Sequence, residues 1–191
     1  MNQYATMIRN LKSPEVMERL MHLYGRRDGM LVEQTGRYIG LLKRHEELFH
    51  ENREVLMISA PGRTEIGGNH TDHNNGKVLA AAVNLDVIAA VKKTENGVIR
   101  LKSVGFPMDT VDTADLNVQE AEKERSASLI RGVCARLKAL GYEVGGFDAV
   151  TTSRVLKGSG LSSSAAFEVL VVTILSHLYN CLLYTSDAAD D

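Results

Sequence analysis

The 191-residue sequence predicts an α+β fold, and three observations carry that reading. Apolar runs of strand length alternate, in no fixed order, with segments whose apolar residues recur at helical spacing. Prolines stand only at 14, 61 and 107, so glycine marks most of the boundaries between them. With 44% hydrophobic and 24% charged residues, there is enough apolar surface to offset chain entropy, which excludes global disorder.

The elements follow in order. Ser13-Pro14 opens a helix to about Tyr24, with serine at the N-cap and proline in the first turn. Gly25 and Gly29 then bracket a turn. A second amphipathic helix is expected over residues 33–49, with Tyr38, Leu41, Leu42 and Leu48 on its apolar side. Its charged residues, Arg37, Lys43, Arg44, Glu46 and Glu47, are expected to face solvent. Residues 55–58 read as a buried strand ending at Ala60-Pro61-Gly62, and 78–91 as a long strand despite its alanines. Residues 98–104 alternate as a strand does. Over 126–140, Leu129, Ile130, Val133, Cys134, Leu137 and Leu140 share a helical face, with Gly141 as the stop. Cys134 on that face reads as core filler rather than a nucleophile. A strand over 147–152 and a glycine-serine loop then lead into a strongly apolar helix.

Several function classes are disfavoured. Charge sums to −2 with a pI near 6.3, so no basic field points to nucleic acid or anionic lipid. Two cysteines, Cys134 and Cys181, are too few for a disulfide framework and fit a reducing compartment. The N-terminal residues scatter charge where a signal peptide needs a continuous apolar stretch. A bilayer span needs about 20 apolar residues, and residues 165–175 are interrupted by Glu168 and Thr173. A cytoplasmic protein is the expectation.

Two motifs carry chemistry. Gly158, Ser159, Gly160, Leu161, Ser162, Ser163 and Ser164 form a glycine-serine loop opening a helix. Glycines let backbone approach a ligand, and free N–H groups at a helix start attract phosphate. The spacing is neither that of a Walker A loop nor that of a dinucleotide fingerprint. Taken alone, the segment reads equally as a serine-capped helix after a loop. The other motif runs from Ala60-Pro61-Gly62-Arg63 through Gly67-Gly68-Asn69-His70-Thr71-Asp72-His73, with Asn74-Asn75-Gly76 as a turn. It follows a strand, so its polar groups emerge at a strand end. Asp72 can accept bonds from two adjacent hydroxyls, as on a sugar ring. Asn69 and His70 add donors and acceptors, and Arg63 adds fixed positive charge. His70 and His73 flank Asp72, but a structural zinc site needs more nitrogen or sulfur ligands than this.

Together the motifs resemble those of the galactokinases in the GHMP kinase superfamily, over residues 55–180. The resemblance implies the GHMP kinase N-terminal domain of a two-domain fold, with the C-terminal domain missing from this chain. It implies ATP and Mg2+ as cofactors, a small-molecule sugar as substrate, and transfer of phosphate to the anomeric hydroxyl. Arg63 matches the arginine near the transferred phosphate. Asn69, His70 and Asp72 match sugar-binding positions, and the 158–164 segment matches the ATP loop, with Ser163 or Ser164 on Mg2+. The family's catalytic aspartate lies in an Asp-Gln segment expected beyond Asn180, so little turnover is expected of this chain. The oligomeric state is not legible.

Departures from the pattern bear on the substrate. Asn69 stands where most galactokinases carry glutamate, and a neutral amide would also tolerate a uronic acid. Glu65, His73 and Leu156 differ from the usual asparagine, tyrosine and proline. A sugar- and ATP-binding regulator without catalysis is the reading from another class, and the intact serine loop argues for the enzyme. The Asn69–Asp72 cluster argues against kinases for mevalonate or homoserine. The chain is expected to divide into a helical extension (1–54), a domain bearing both motifs (55–180), and a tail (181–191). That tail, CLLYTSDAADD, resembles a translated sequencing adapter and is expected to be artefactual.

Overall fold

The computed structural model describes residues 3–50, 54–68, 75–156 and 158–181. Three helices come first: α1 (Gln3–Asn10), α2 (Pro14–Tyr24) and α3 (Met30–Phe49). The strands are β1 (Leu56–Gly67), β2 (Leu79–Lys93), β3 (Val98–Ser103), β4 (Met108–Asp112) and β5 (Phe147–Ser153). Helix α4 (Ser126–Ala139) precedes β5, and α5 (Ser163–Tyr179) follows it. The sheet order is β1-β2-β5-β3-β4, antiparallel throughout except for the parallel β3–β5 pair.

The sheet is covered on both faces. Along β2, Val87, Ala89 and Val91 join a core with Ile130 and Cys134 of α4 and with Leu170, Val171 and Ile174 of α5. Ile88 and Ala90, pointing the other way, join Tyr24, Tyr38, Leu41, Leu42 and Phe49 of α2 and α3. Over Asp86–Lys92 the strand is buried on both sides and has no polar face, which is why residues 87–91 are all apolar. Small alanines at 89 and 90 let both helical layers approach the strand.

Local signals account for many of the boundaries. Ser13 Oγ accepts a bond from the Val16 N–H at 3.4 Å, and the Gly25 N–H closes α2 on the Met21 carbonyl. Three expectations are corrected. First, β1 does not stop at Pro61 but runs on to Gly67, because a register shift between Pro61 and Arg63 absorbs the residue that cannot donate. Second, Arg37 does not face solvent: its side chain is 8% exposed and its guanidinium meets Asp86. Third, Leu140 lies beyond α4 and is half exposed, while Arg131 turns inward and pairs with Glu122. Helix α1 and strand β4 were not expected. Cys134 is fully buried, and burial pushes its thiol up to about 12, as befits core filler. The tail beyond Cys181 lies outside the described residues.

Two polar clusters sit beneath α3. Tyr4 and His45 share a 2.8 Å bond, and His45 Nε2 lies 3.3 Å from the Asp148 carbonyl. A carbonyl can only accept, so the proton is on Nε2 and Nδ1 accepts from the Tyr4 hydroxyl. Nearby, Asp148 holds Arg100 in a two-point bond at 2.7 Å and Lys92 at 3.4 Å.

Burial pushes His45 down from 6.5 to about 4. The unfolded chain therefore takes up its proton first, so this contribution is complete above about pH 7 and fades as pH falls from 6.5 toward 4. Urea titrations from pH 7 to pH 4.5 are expected to show His45→Gln losing less stability than the unsubstituted chain, by up to ~3 kcal/mol. Parallel pH profiles would contradict the assignment.

Candidate functional site

Strand β1 delivers the first motif. Arg63 sits just past the β1 bulge, half-buried, opposite Ala82 of β2. Gly68 closes the described part of this hairpin at φ 116°, where a Cβ would lie 2.7 Å from both the Lys77 carbonyl oxygen and Val78 Cα. Only glycine fits there, so the polar segment departs from a fixed point. Asn69, His70 and Asp72 lie outside the described residues, as do His73 and Lys157.

The second motif begins where β5 ends. Ser153 Oγ accepts from the Val155 N–H at 3.1 Å, and Val155 is buried. The loop then turns through exposed Gly158 (φ 80°) and Gly160 (φ 74°), with Ser159 Oγ bonded to the Leu156 carbonyl at 2.7 Å. Ser162 adopts φ 57° and ψ 52°, a left-handed conformation costing a non-glycine residue about 1 kcal/mol or more. Its carbonyl accepts the first bond of α5, from the Ala166 N–H at 2.9 Å. The N–H groups of Ser163, Ser164 and Ala165 precede any intrahelical partner, and Ser164 and Ala165 are exposed.

The two motifs are joined through main chain. The Arg63 N–H donates to the Leu161 carbonyl at 3.1 Å, so residues nearly a hundred positions apart share a hydrogen bond. Gly62 permits this approach, because a Cβ there would lie 3.1 Å from the Leu161 oxygen and 3.1 Å from Val155. Gly158 and Gly160 have open space above them. Those glycines, the free amides and the hydroxyls suit a polyphosphate, and a serine hydroxyl suits a hard cation that keeps phosphate and water ligands. No cluster of three or more His, Cys, Asp or Glu that could hold a metal occurs among the described residues.

Sequence reasoning missed the groups behind the site. Asp86 faces Pro61 across the β1–β2 pair and accepts from the hydroxyls of Ser59 and Tyr24, each at 2.5 Å. A carboxylate inside the apolar 78–91 run was the available signal. A cavity of about 700 Å3 opens on this helical side, lined by Leu20, Tyr24, Tyr38, Ser59, Pro61 and Asp86.

The family model described as the galactokinase galactose-binding signature matches residues 43–93, and that of the GHMP kinases N terminal domain matches 128–190. A galactokinase from Lactococcus lactis subsp. lactis is 32% identical over 153 residues, covering 79% of this chain and 38% of the relative. A Streptomyces coelicolor galactokinase is 34% identical over 137 residues, covering 72% and 35%. The chain thus spans under two fifths of these relatives. The crystal structure of Lactococcus lactis galactokinase complexed with galactose superposes with a TM-score of 0.69 at 30% identity. That match covers 74% of this chain and 37% of the other. A mevalonate kinase of Methanococcus jannaschii shares the fold, with a TM-score of 0.55 at 19% identity over 68% of this chain and 42% of the other.

Gly62→Ala tests the junction. The added methyl is expected to push Leu161 off β1, lower stability by about 1–2 kcal/mol and speed hydrogen exchange at the Arg63 amide. Unchanged exchange there would mean the loop accommodates the methyl elsewhere.

Proposed function

We infer that this chain, which belongs to the galactokinase family of the GHMP kinases, supplies the sugar-binding and ATP-binding parts of an ATP-dependent sugar kinase. The reaction is ATP plus galactose, or a galactose-like sugar, giving the sugar 1-phosphate and ADP. The observation that supports the reading is the 3.1 Å bond between Arg63, in the first motif, and Leu161, in the loop that opens α5.

Each residue has a part. The first-turn amides of α5 and the hydroxyls of Ser162, Ser163 and Ser164 hold phosphate oxygens, and one hydroxyl, of Ser163 or Ser164, holds Mg2+. Gly158, Ser159, Gly160 and Leu161 shape the turn that admits the polyphosphate. ATP supplies the transferred phosphoryl group. Arg63 offsets the negative charge that grows on the transferring oxygens and favours the sugar alkoxide. Asn69, His70 and Asp72 grip the ring hydroxyls. No Asp-Gln pair occurs in the 191 residues, so the family's general base is not supplied by this sequence. The proposed place of action is the cytoplasm, which the presence of two cysteines fits.

A second reading follows from Asn69. An amide lacks the charge with which a glutamate would repel a 6-carboxylate, so galacturonate competes with galactose as the preferred sugar.

Calorimetric titration with MgATP, galactose and galacturonate tests both readings. Saturable MgATP binding is expected, weakened about tenfold by replacing Ser163 and Ser164 together with alanine, a loss of about 1.4 kcal/mol. Phosphorus NMR is expected to find no sugar 1-phosphate from this chain alone. Failure to bind MgATP would overturn the kinase reading. Strong selectivity for galactose would overturn the uronate reading only.

A further inference from the structure

The phosphate loop hangs from a short segment, 153–156, whose position is fixed from behind by α3. Arg37 of α3 places its guanidinium against Gln34 Oε1 of its own helix at 3.3 Å and against three acceptors on the sheet. One arm meets the Asp86 carboxylate at 2.5 Å, while the other meets the Asp86 carbonyl at 2.9 Å and the Thr152 carbonyl at 3.3 Å. The same Asp86 carbonyl accepts the Arg154 N–H at 2.9 Å, which extends the β2–β5 pairing past Ser153. The Arg154 side chain then returns to Glu33 of α3 at 2.6 Å. Asp86 is itself held to β1 by Ser59 and to α2 by Tyr24. One carboxylate and one guanidinium thus connect both roots of the site, β1 just before Pro61-Gly62-Arg63 and β5 just before the phosphate loop.

A general structural role would not need this placement. Arg37 is 8% and Asp86 4% exposed at the side chain, so the pair bears a desolvation cost that an apolar pair would avoid. What charge adds is geometry: a planar fork fixes two strands at once, which a hydrophobic contact does not. Fixing matters most where the chain next enters a turn with two positive-φ glycines and a left-handed serine.

We propose that Arg37, with Asp86 and with Glu33 through Arg154, forms a clamp that positions the phosphate loop for nucleotide, so that the N-terminal helical layer sets nucleotide affinity. Arg37 and Asp86 touch no substrate; they are positioning residues. The proposal rests on the kinase reading for its ligand, but its exchange readout does not.

The test compares Arg37→Met, Arg37→Lys and Glu33→Gln with Tyr4→Phe, which loosens the same helical layer away from the clamp. Each is measured for melting temperature, hydrogen exchange over residues 158–165, and MgATP affinity by calorimetry. Arg37→Met is expected to speed loop exchange and weaken MgATP at least tenfold. Arg37→Lys is expected to recover melting temperature but not affinity, since an ammonium cannot fork across Asp86 and Thr152. Glu33→Gln, at a partly exposed site where folding is not at risk, is expected to weaken MgATP roughly threefold. Tyr4→Phe is expected to lower melting temperature alone. Should Arg37→Met not fold, Arg37→Lys and Glu33→Gln decide the matter. Loop exchange in the clamp variants equal to that of the unsubstituted chain, or to that of Tyr4→Phe at matched stability, overturns the clamp. If the unsubstituted chain binds no MgATP, the kinase reading fails, and faster loop exchange still upholds the clamp.

Discussion

The structure depends on β2 and β5 being buried from both sides. Each residue along β2 between Val87 and Val91 belongs alternately to the α4–α5 core and to the α1–α3 core. A one-residue slip would exchange the two sets and put Ile88 where Ala89 fits. The two helical layers therefore fix one register between them, and the strands between the layers are fixed with it. The glycine-serine segment leaves from the end of β5, so its starting point inherits that register.

Burial of this kind leaves no room for careless charge. Lys92 is 1% exposed and Asp148 fully buried, and they persist because Arg100 closes the group and the Phe49 ring lies 5.0 Å from the guanidinium carbon. Removing one member would strand another charge in the core, at about 3–5 kcal/mol. The Arg37–Asp86 pair obeys the same rule nearer the site. Both clusters lie between α3 and the sheet, whereas on the α4 side the inward Arg131 pairs with Glu122 near the edge of the core. The polar contacts thus specify where α3 docks, a choice that Leu41 and Leu42 alone would leave less determined.

Much of this was legible in the residues. Ser13-Pro14, Gly141 and the apolar 78–91 run marked their elements because each signal is local. The strand through Pro61 was not legible, since a bulge can accommodate proline and its presence depends on the partner strand. Strand β4 has only Met108 and Val111 as apolar residues and gains its place by pairing with β3. Arg37 looked like a solvent residue because charged side chains of an amphipathic helix ordinarily face water; Asp86 and the Thr152 carbonyl, far away in sequence, turn it inward. For the candidate site, the two motifs were legible as motifs, but the Arg63–Leu161 contact that joins them was not. Gly62 was visible as part of a motif, whereas its role depends on Leu161 and Val155 arriving from elsewhere.

Topology explains why those distant segments meet. Ser153 at the end of β5 pairs with Val87 of β2, which pairs with Ala60 of β1, so the three stand in one row across the sheet. From there the chain must cross two strand spacings, roughly 10 Å, to reach β1. The 154–161 segment makes that crossing, and Leu161 lands on Arg63, the second residue past Pro61. Helix α5 starts at once and lies over β1 and β2, with Leu170, Val171 and Ile174 filling the core beside Ile58 and Val87. The strongly apolar face of α5 therefore sets where its polar N-terminus points. Burial of the helix body places the open first-turn amides of α5 beside the strand that carries Arg63, so the packing that stabilises the domain is also what brings the two described motif segments together.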